Sequence, residues 1–138
     1  MAIFEPSLDL QAIIRARLLA SADLMALVPA DNVVDVTGRP ERVPAVIIGE
    51  SQSVFDRFKS TAHLTIHCWF QEPGLVTAKA AASAIIQALH VDAQMEGVLV
   101  TANFTVHDMR VTDTRYLRDP HGSYSHAVIT VTAIVKGY

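Results

Sequence analysis

The sequence predicts an α+β fold: a two-layer sandwich in which a mostly antiparallel sheet carries two helices on one face, in the order α-β-β-β-α-β-β. Three observations lead to it. Residues 63–70 alternate strictly, so Leu64, Ile66, Cys68 and Phe70 face one side of a strand and His63, Thr65, His67 and Trp69 the other. Residues 75–89 are rich in alanine with a polar stripe at Lys79, Ser83 and Gln87, the four-residue spacing of an amphipathic helix. Two further runs with a period of two follow, from Val98 and from Tyr124.

Each element can then be argued in order. Pro6, Ser7 and Asp9 mark a helix start, with Ser7 as the expected cap and Asp9 opposing the positive end of the helix dipole. Leu10, Ile14 and Leu18 make its apolar stripe. Ser21 is placed to cap a second short turn over residues 22–28. Residues 33–36 read as a short strand and Pro44-Ala45-Val46-Ile47-Ile48-Gly49-Glu50 as a buried one, with Gly49 relieving crowding where that strand bends. Residues 51–61 grow polar around Phe55 and Phe58 and are expected to form a hairpin arm or long loop beyond the core. The break at Glu72-Pro73-Gly74 starts the alanine-rich helix, whose core side is Ala78, Ala81, Ala82, Ile85 and Leu89.

From Val98 one strand is expected to run on, with Val98, Val100, Ala102, Phe104 and Val106 inward. The odd step between Val106 and Met109 predicts a bulge. The chain stays extended through Tyr116, turns at Asp119-Pro120-His121-Gly122, and returns with Ala127, Ile129, Val131, Ala133 and Val135 inward.

Bulk properties narrow the function. The 138 residues, with 51% hydrophobic and 18% charged side chains, suit a single domain over 1–138 with a real core. The net charge of −3 is spread without a basic run, which disfavours nucleic-acid binding. No apolar stretch is long enough to span a bilayer and the first residues lack the pattern of a signal peptide, so the cytoplasm is the expected compartment. Cys68, the single cysteine, excludes an internal disulfide and is expected in the core.

Chemistry-bearing patterns are sparse. His63 and His67 sit about 13 Å apart along one strand, too far to share an ion. A metal site from His63 or His67 with His107 or His126 is a geometric option, and it defines one alternative: a metal-dependent enzyme using outward histidines. A small soluble adaptor is another. Cys68 and His67 point to opposite faces and make no nucleophile–base pair, and Asp108, Asp113, Asp119 and Glu96 read mostly as turn carboxylates. The reading therefore expects no catalytic residue, cofactor or metal.

What remains is a surface. The outward side chains are polar yet almost uncharged, unlike a water-facing sheet rich in Lys and Glu. Candidate interface residues are Phe55, Phe58, His63, His67, Trp69, Arg115, Tyr116, Arg118, His121, Tyr124 and His126; aromatics provide large contact area at low entropic cost.

The order and spacing of these signals resemble the small tail-completion, or tail-terminator, proteins of long-tailed phages, prophages and gene transfer agents. The resemblance runs from Leu8 to Val135. It is carried by Ile14-Arg15-Ala16-Arg17-Leu18, the turn with Asp23-Leu24 and Leu27-Val28, the Pro44 to Glu50 motif and Leu64-Thr65-Ile66-His67-Cys68-Trp69. The helix from Ala78-Lys79-Ala80 to Leu89-His90, Arg118-Asp119-Pro120 with Gly122, and Tyr124 and His126 in the last strand complete it. It implies a homohexameric ring that caps the head-proximal end of the tail tube, with a tail tube protein and a head-tail connector as partners. It also implies assembly in the bacterial cytoplasm before incorporation at the tail end of the particle, and it brings no active-site residues.

Overall fold

Where Leu10, Ile14 and Leu18 recur at four-residue steps, the chain forms α1 (Ser7–Leu19) and all three side chains are fully buried. The computed structural model describes residues 5–35, 40–92, 99–100, 103–119 and 121–137. The cap expected from Ser7 is not formed. Pro6 is already in the helical region of backbone space, so Ser7 becomes the first helical residue and its N–H is received by Glu5 Oε1 at 2.9 Å. Ser21 does cap α2 (Ala22–Met25), accepting the Leu24 N–H at 3.2 Å.

Among the described residues the sheet has seven strands: β1 (Val33–Val34), β2 (Ala45–Phe55), β3 (Ser60–Gln71), β4 (Val91–Asp92), β5 (Leu99–Val100), β6 (Phe104–Asp119) and β7 (Tyr124–Gly137). They lie in the order β1-β2-β3-β7-β6-β4, with β5 also on β6; β1 runs parallel to β2 and every other pair is antiparallel. This is the expected α+β sandwich with two added strand fragments. Residues 36–39, where a strand end and turn were expected, lie outside the described residues.

The expectation of one continuous strand from Val98 is corrected. Leu99 and Val100 belong to β5, which folds back so that Leu99 pairs with Val106 and Val100 with Thr105. The return gives the outer edge of β6 hydrogen-bond partners there, and a bend at Asn103, a residue whose side chain favours turns, makes it sterically easy. Val98 and Ala102 lie outside the described residues. The bulge anticipated near Met109 is present between Val106 and Asp108, and a second, unanticipated one lies between Val111 and Asp113. Each inserts one unpaired residue and swaps the faces of everything beyond it.

Helix α3 (Val76–Leu89) lies on the same sheet face as α1, against β3, β6 and β7. Ala78, Ala81, Ala82, Ile85 and Leu89 are fully buried, whereas Lys79, Ser83 and Gln87 are exposed. Its small inner residues let the helix sit close to the sheet. The core fills the space between the layers with side chains such as Leu64, Ile66 and Ile129, each worth about 1.5–3 kcal/mol of apolar burial. Cys68 is among them, and burial pushes its thiol up to about 12.

Polar links fasten the layers. The Arg17 guanidinium of α1 donates to the carbonyls of Ala88 at 2.7 Å and His90 at 3.4 Å, supplying donors at the end of α3. At the other end, the Glu72 carboxylate receives the N–H groups of Thr77 and Ala78 and the hydroxyl of buried Ser125. Burial alone would raise the Glu72 pKa, but these donors outweigh it and hold the carboxyl below its ordinary value.

Candidate functional site

Strand alternation and register place a polar and aromatic row on the sheet face away from the helices. Leu117, His126, Trp69 and Ala45 are successive cross-strand neighbours, and beside them run Arg115, Val128, His67 and Ile47. The face is not merely wet. Ala45, Ile47 and Val128 are buried there, outside the main core, so the rings form a small second layer of packing.

Three of the expected residues come together at its centre. Trp69 stacks on His126 with ring centroids 3.9 Å apart and planes 14° apart. His126 Nε2 lies 2.8 Å from His67 Nδ1, and His67 Nε2 lies 3.0 Å from Glu50 Oε1. Burial first, then the neighbouring His67 and Arg115, push the His126 pKa down from 6.5 to about 4. The Glu50 carboxyl is held below its ordinary value by its own backbone N–H and by His67.

Gly49 makes this arrangement possible. A Cβ there would meet His67 Cδ2 at 3.0 Å and the Thr65 carbonyl oxygen at 3.3 Å, and the β2–β3 register shifts between Ile48 and Ser51. The glycine therefore relieves crowding at a bend, as its place in the sequence implies. His63 joins the same face by a 3.1 Å hydrogen bond with Thr132, which also lies 3.2 Å from Thr112. His107, however, bonds with Thr105 on its own strand at 2.9 Å. The ring nitrogens of His67 are directed at His126 and Glu50, and among the described residues no group of three or more His, Cys, Asp or Glu side chains is arranged to hold a metal ion.

Phe55 and Phe58 lie on the β2–β3 hairpin, 49% and 61% exposed, with Val54 equally open beside them. The turn is built rather than loose: the Asp56 N–H donates to the Lys59 carbonyl at 2.9 Å, the Phe58 N–H to Asp56 Oδ1 at 3.0 Å, and Arg57 lies over the Phe58 ring. This is the arm expected at residues 51–61.

The β6–β7 hairpin carries the remaining candidates. Arg115, Arg118 and His121 are exposed and Tyr124 is partly so. Tyr116 instead packs against the core beneath Lys79 of α3, because the bulge near Thr112 turns it to the helix side. Gly122 has φ +89°, and a Cβ on it would meet the Tyr124 ring at 2.4 Å. Two contributors were missed from sequence. Glu50 shares strand parity with the core residues Val46 and Ile48, and only the register shift between Ile48 and Ser51 brings it to His67; Leu117 was hidden by the second bulge.

The family described as "Tail completion protein gp17" matches residues 12–136. No curated protein matches the chain. Among solved structures, a chain of the "Virion of native gene transfer agent (GTA) particle" is similar, with a TM-score of 0.74 and 24% identity over 93% of this chain and 95% of that one. At that identity the likeness is one of fold.

Proposed function

From the premise that the chain belongs to the tail completion protein gp17 family, and so has a structural role in a phage-type tail, we propose that it works as a ring of six copies. The ring caps the head-proximal end of the tail tube, stops its growth and presents its other side to the head-tail connector. The mechanism is geometric: many modest contacts, repeated by symmetry, add up to a stable joint. Phage, prophage and gene-transfer-agent particles would all use such a part.

The observation that carries the reading beyond the family is the sheet face without helices. On its central strands β3 and β7 it presents Trp, His and Thr side chains with buried apolar groups among them, and charges such as Glu50, Arg110, Asp113 and Arg115 lie on the flanking strands. The exposed Phe55 and Phe58 hairpin and, on the β6–β7 hairpin, Arg115, Arg118, His121 and Tyr124 extend from the same sheet as contacts for neighbours or the tube. No helix among the described residues is long and apolar enough to cross a membrane.

The test is the double substitution Phe55→Ser with Phe58→Ser. Because both rings are largely in water, folding stability should stay within about 0.5 kcal/mol per site in urea unfolding. Tail joining, scored by electron microscopy of particles, should drop sharply. Normal particles from the double variant would take the hairpin out of the contact surface.

A further inference from the structure

We propose that Glu50, His67, His126 and Trp69 form an acid-released latch on the outer sheet face, which accepts one added proton and breaks on the second, weakening contacts made through that face. The effect on contacts rests on the proposed role of this face; the latch itself rests on the geometry of the four side chains.

Proton bookkeeping assigns the states. An ionised Glu50 can only accept, so His67 Nε2 carries a hydrogen and donates to it. Neutral His67 then has a bare Nδ1, and His126 must donate to it from Nε2. One added proton is accommodated when His67 becomes an imidazolium. It then donates from both nitrogens, to Glu50 and to a His126 whose Nε2 is now bare. A second proton leaves no acceptor, because two N–H groups would meet at 2.8 Å.

The surroundings oppose that second proton. From β3, His67 and the face of Trp69 crowd His126; from β6, Arg115 acts against its charge while Asp119 favours it; from β2, Glu50 favours it from beyond His67. Half-burial adds to the opposition, and the ring stays neutral down to about 4. When it does charge, repulsion from the His67 imidazolium separates two rings whose centroids are 5.0 Å apart and breaks the His67–His126 hydrogen bond, while the charged ring keeps the face of Trp69. The bare backbone at Gly49 leaves His67 no bulkier neighbour to hold it in place.

Trp69 is the only tryptophan, so its emission reports on the latch directly. The full-length chain is acidified from neutral pH to about 4, with far-UV circular dichroism and resistance of Cys68 to alkylation confirming that it stays folded. The expected result is a loss of emission as His126 charges against the indole, since an imidazolium in contact quenches indole emission. The loss should be absent in His126→Gln, and its midpoint should move up in His67→Gln, which removes the like charge. Flat wild-type emission in the folded protein, a loss that survives in His126→Gln, or an unmoved midpoint in His67→Gln would each overturn the latch. Sedimentation over the same range reads the contacts: assemblies should dissociate across the emission step in the wild type and persist in His126→Gln. An emission step with assembly indifferent to pH overturns the contact role of the face and leaves the latch standing.

Discussion

Glu72 ties the start of α3, just after it, to a strand 53 residues further along the chain. Its carboxylate receives two backbone amides at the start of α3 and the hydroxyl of Ser125, a fully buried polar group at the start of β7. Leu75, at the cap position before α3, has no side chain that can cap it, so Glu72 does that work from outside the helix. Glu72→Gln keeps the size but replaces two strong charged acceptor oxygens with one weaker one. The expected cost is about 1–2 kcal/mol in urea unfolding, and Glu72→Ala should cost more because Ser125 is left buried without this partner.

At the scale of elements, the β6–β7 hairpin shows how backbone and side chain fix each other. Gly122 and Ser123 both have positive φ, and the Asp119 carboxylate receives the His121 N–H at 2.9 Å. Gln71 of β3 donates to the Gly122 carbonyl at 3.3 Å, fastening the turn to the sheet. In Gly122→Ala the new methyl group would occupy the space of the Tyr124 ring on a backbone that disfavours it. The expected loss is about 1–3 kcal/mol by thermal or urea unfolding, with Tyr124 displaced in NMR spectra. This turn was legible in the sequence because its signals are local: Asp, Pro and Gly at their usual positions. So were α3, from its four-residue stripe, and β3, from strict alternation. The folding back of Leu99 and Val100 was not, because it depends on which edge of β6 is free, and that is a property of the assembled sheet. The cap on α1 was misassigned for a related reason: Pro6 and Glu5 settle it by backbone angle and reach, which residue type alone does not encode.

For the whole molecule, acid is the stress to which the structure is least indifferent. The folded-state pKa of His126 is below its unfolded value, so the unfolded chain binds the extra proton first as pH falls. The stability present above 6.5 is therefore lost progressively down to about 4. Linkage, discounted for the solvent-open half of the ring, puts that loss at about 1–2 kcal/mol. Glu50 and Glu72 are also lowered, and their contributions fade below 4.5. Urea midpoints measured across this range should decline with acid, and His126→Gln should flatten the decline above 4.5 while leaving the carboxylate part below it. The candidate surface was half legible by the same logic. Strand parity put His67, Trp69 and His126 on one face, but only the β3–β7 register, with Trp69 opposite His126, brings them into contact.

The two bulges of β6 have a consequence for how such a chain can vary. Sixteen residues of β6 run alongside fourteen of β7, and the surplus is one residue at each bulge. Which letters of the hairpin are shown outward and which are tucked under the helices is decided by the pairing with β7 rather than by counting along β6. Removing the single extra residue near Thr112 would leave Val111 opposite Val131 and Asp113 opposite Thr130, so Tyr116 would stay on the helix side and Arg115 and Leu117 on the outer one. A one-codon deletion at the bulge is thus absorbed with the displayed surface intact, whereas the same deletion within β7, which pairs with β3 without a spare residue, forces a shift of register and sends side chains to the opposite face.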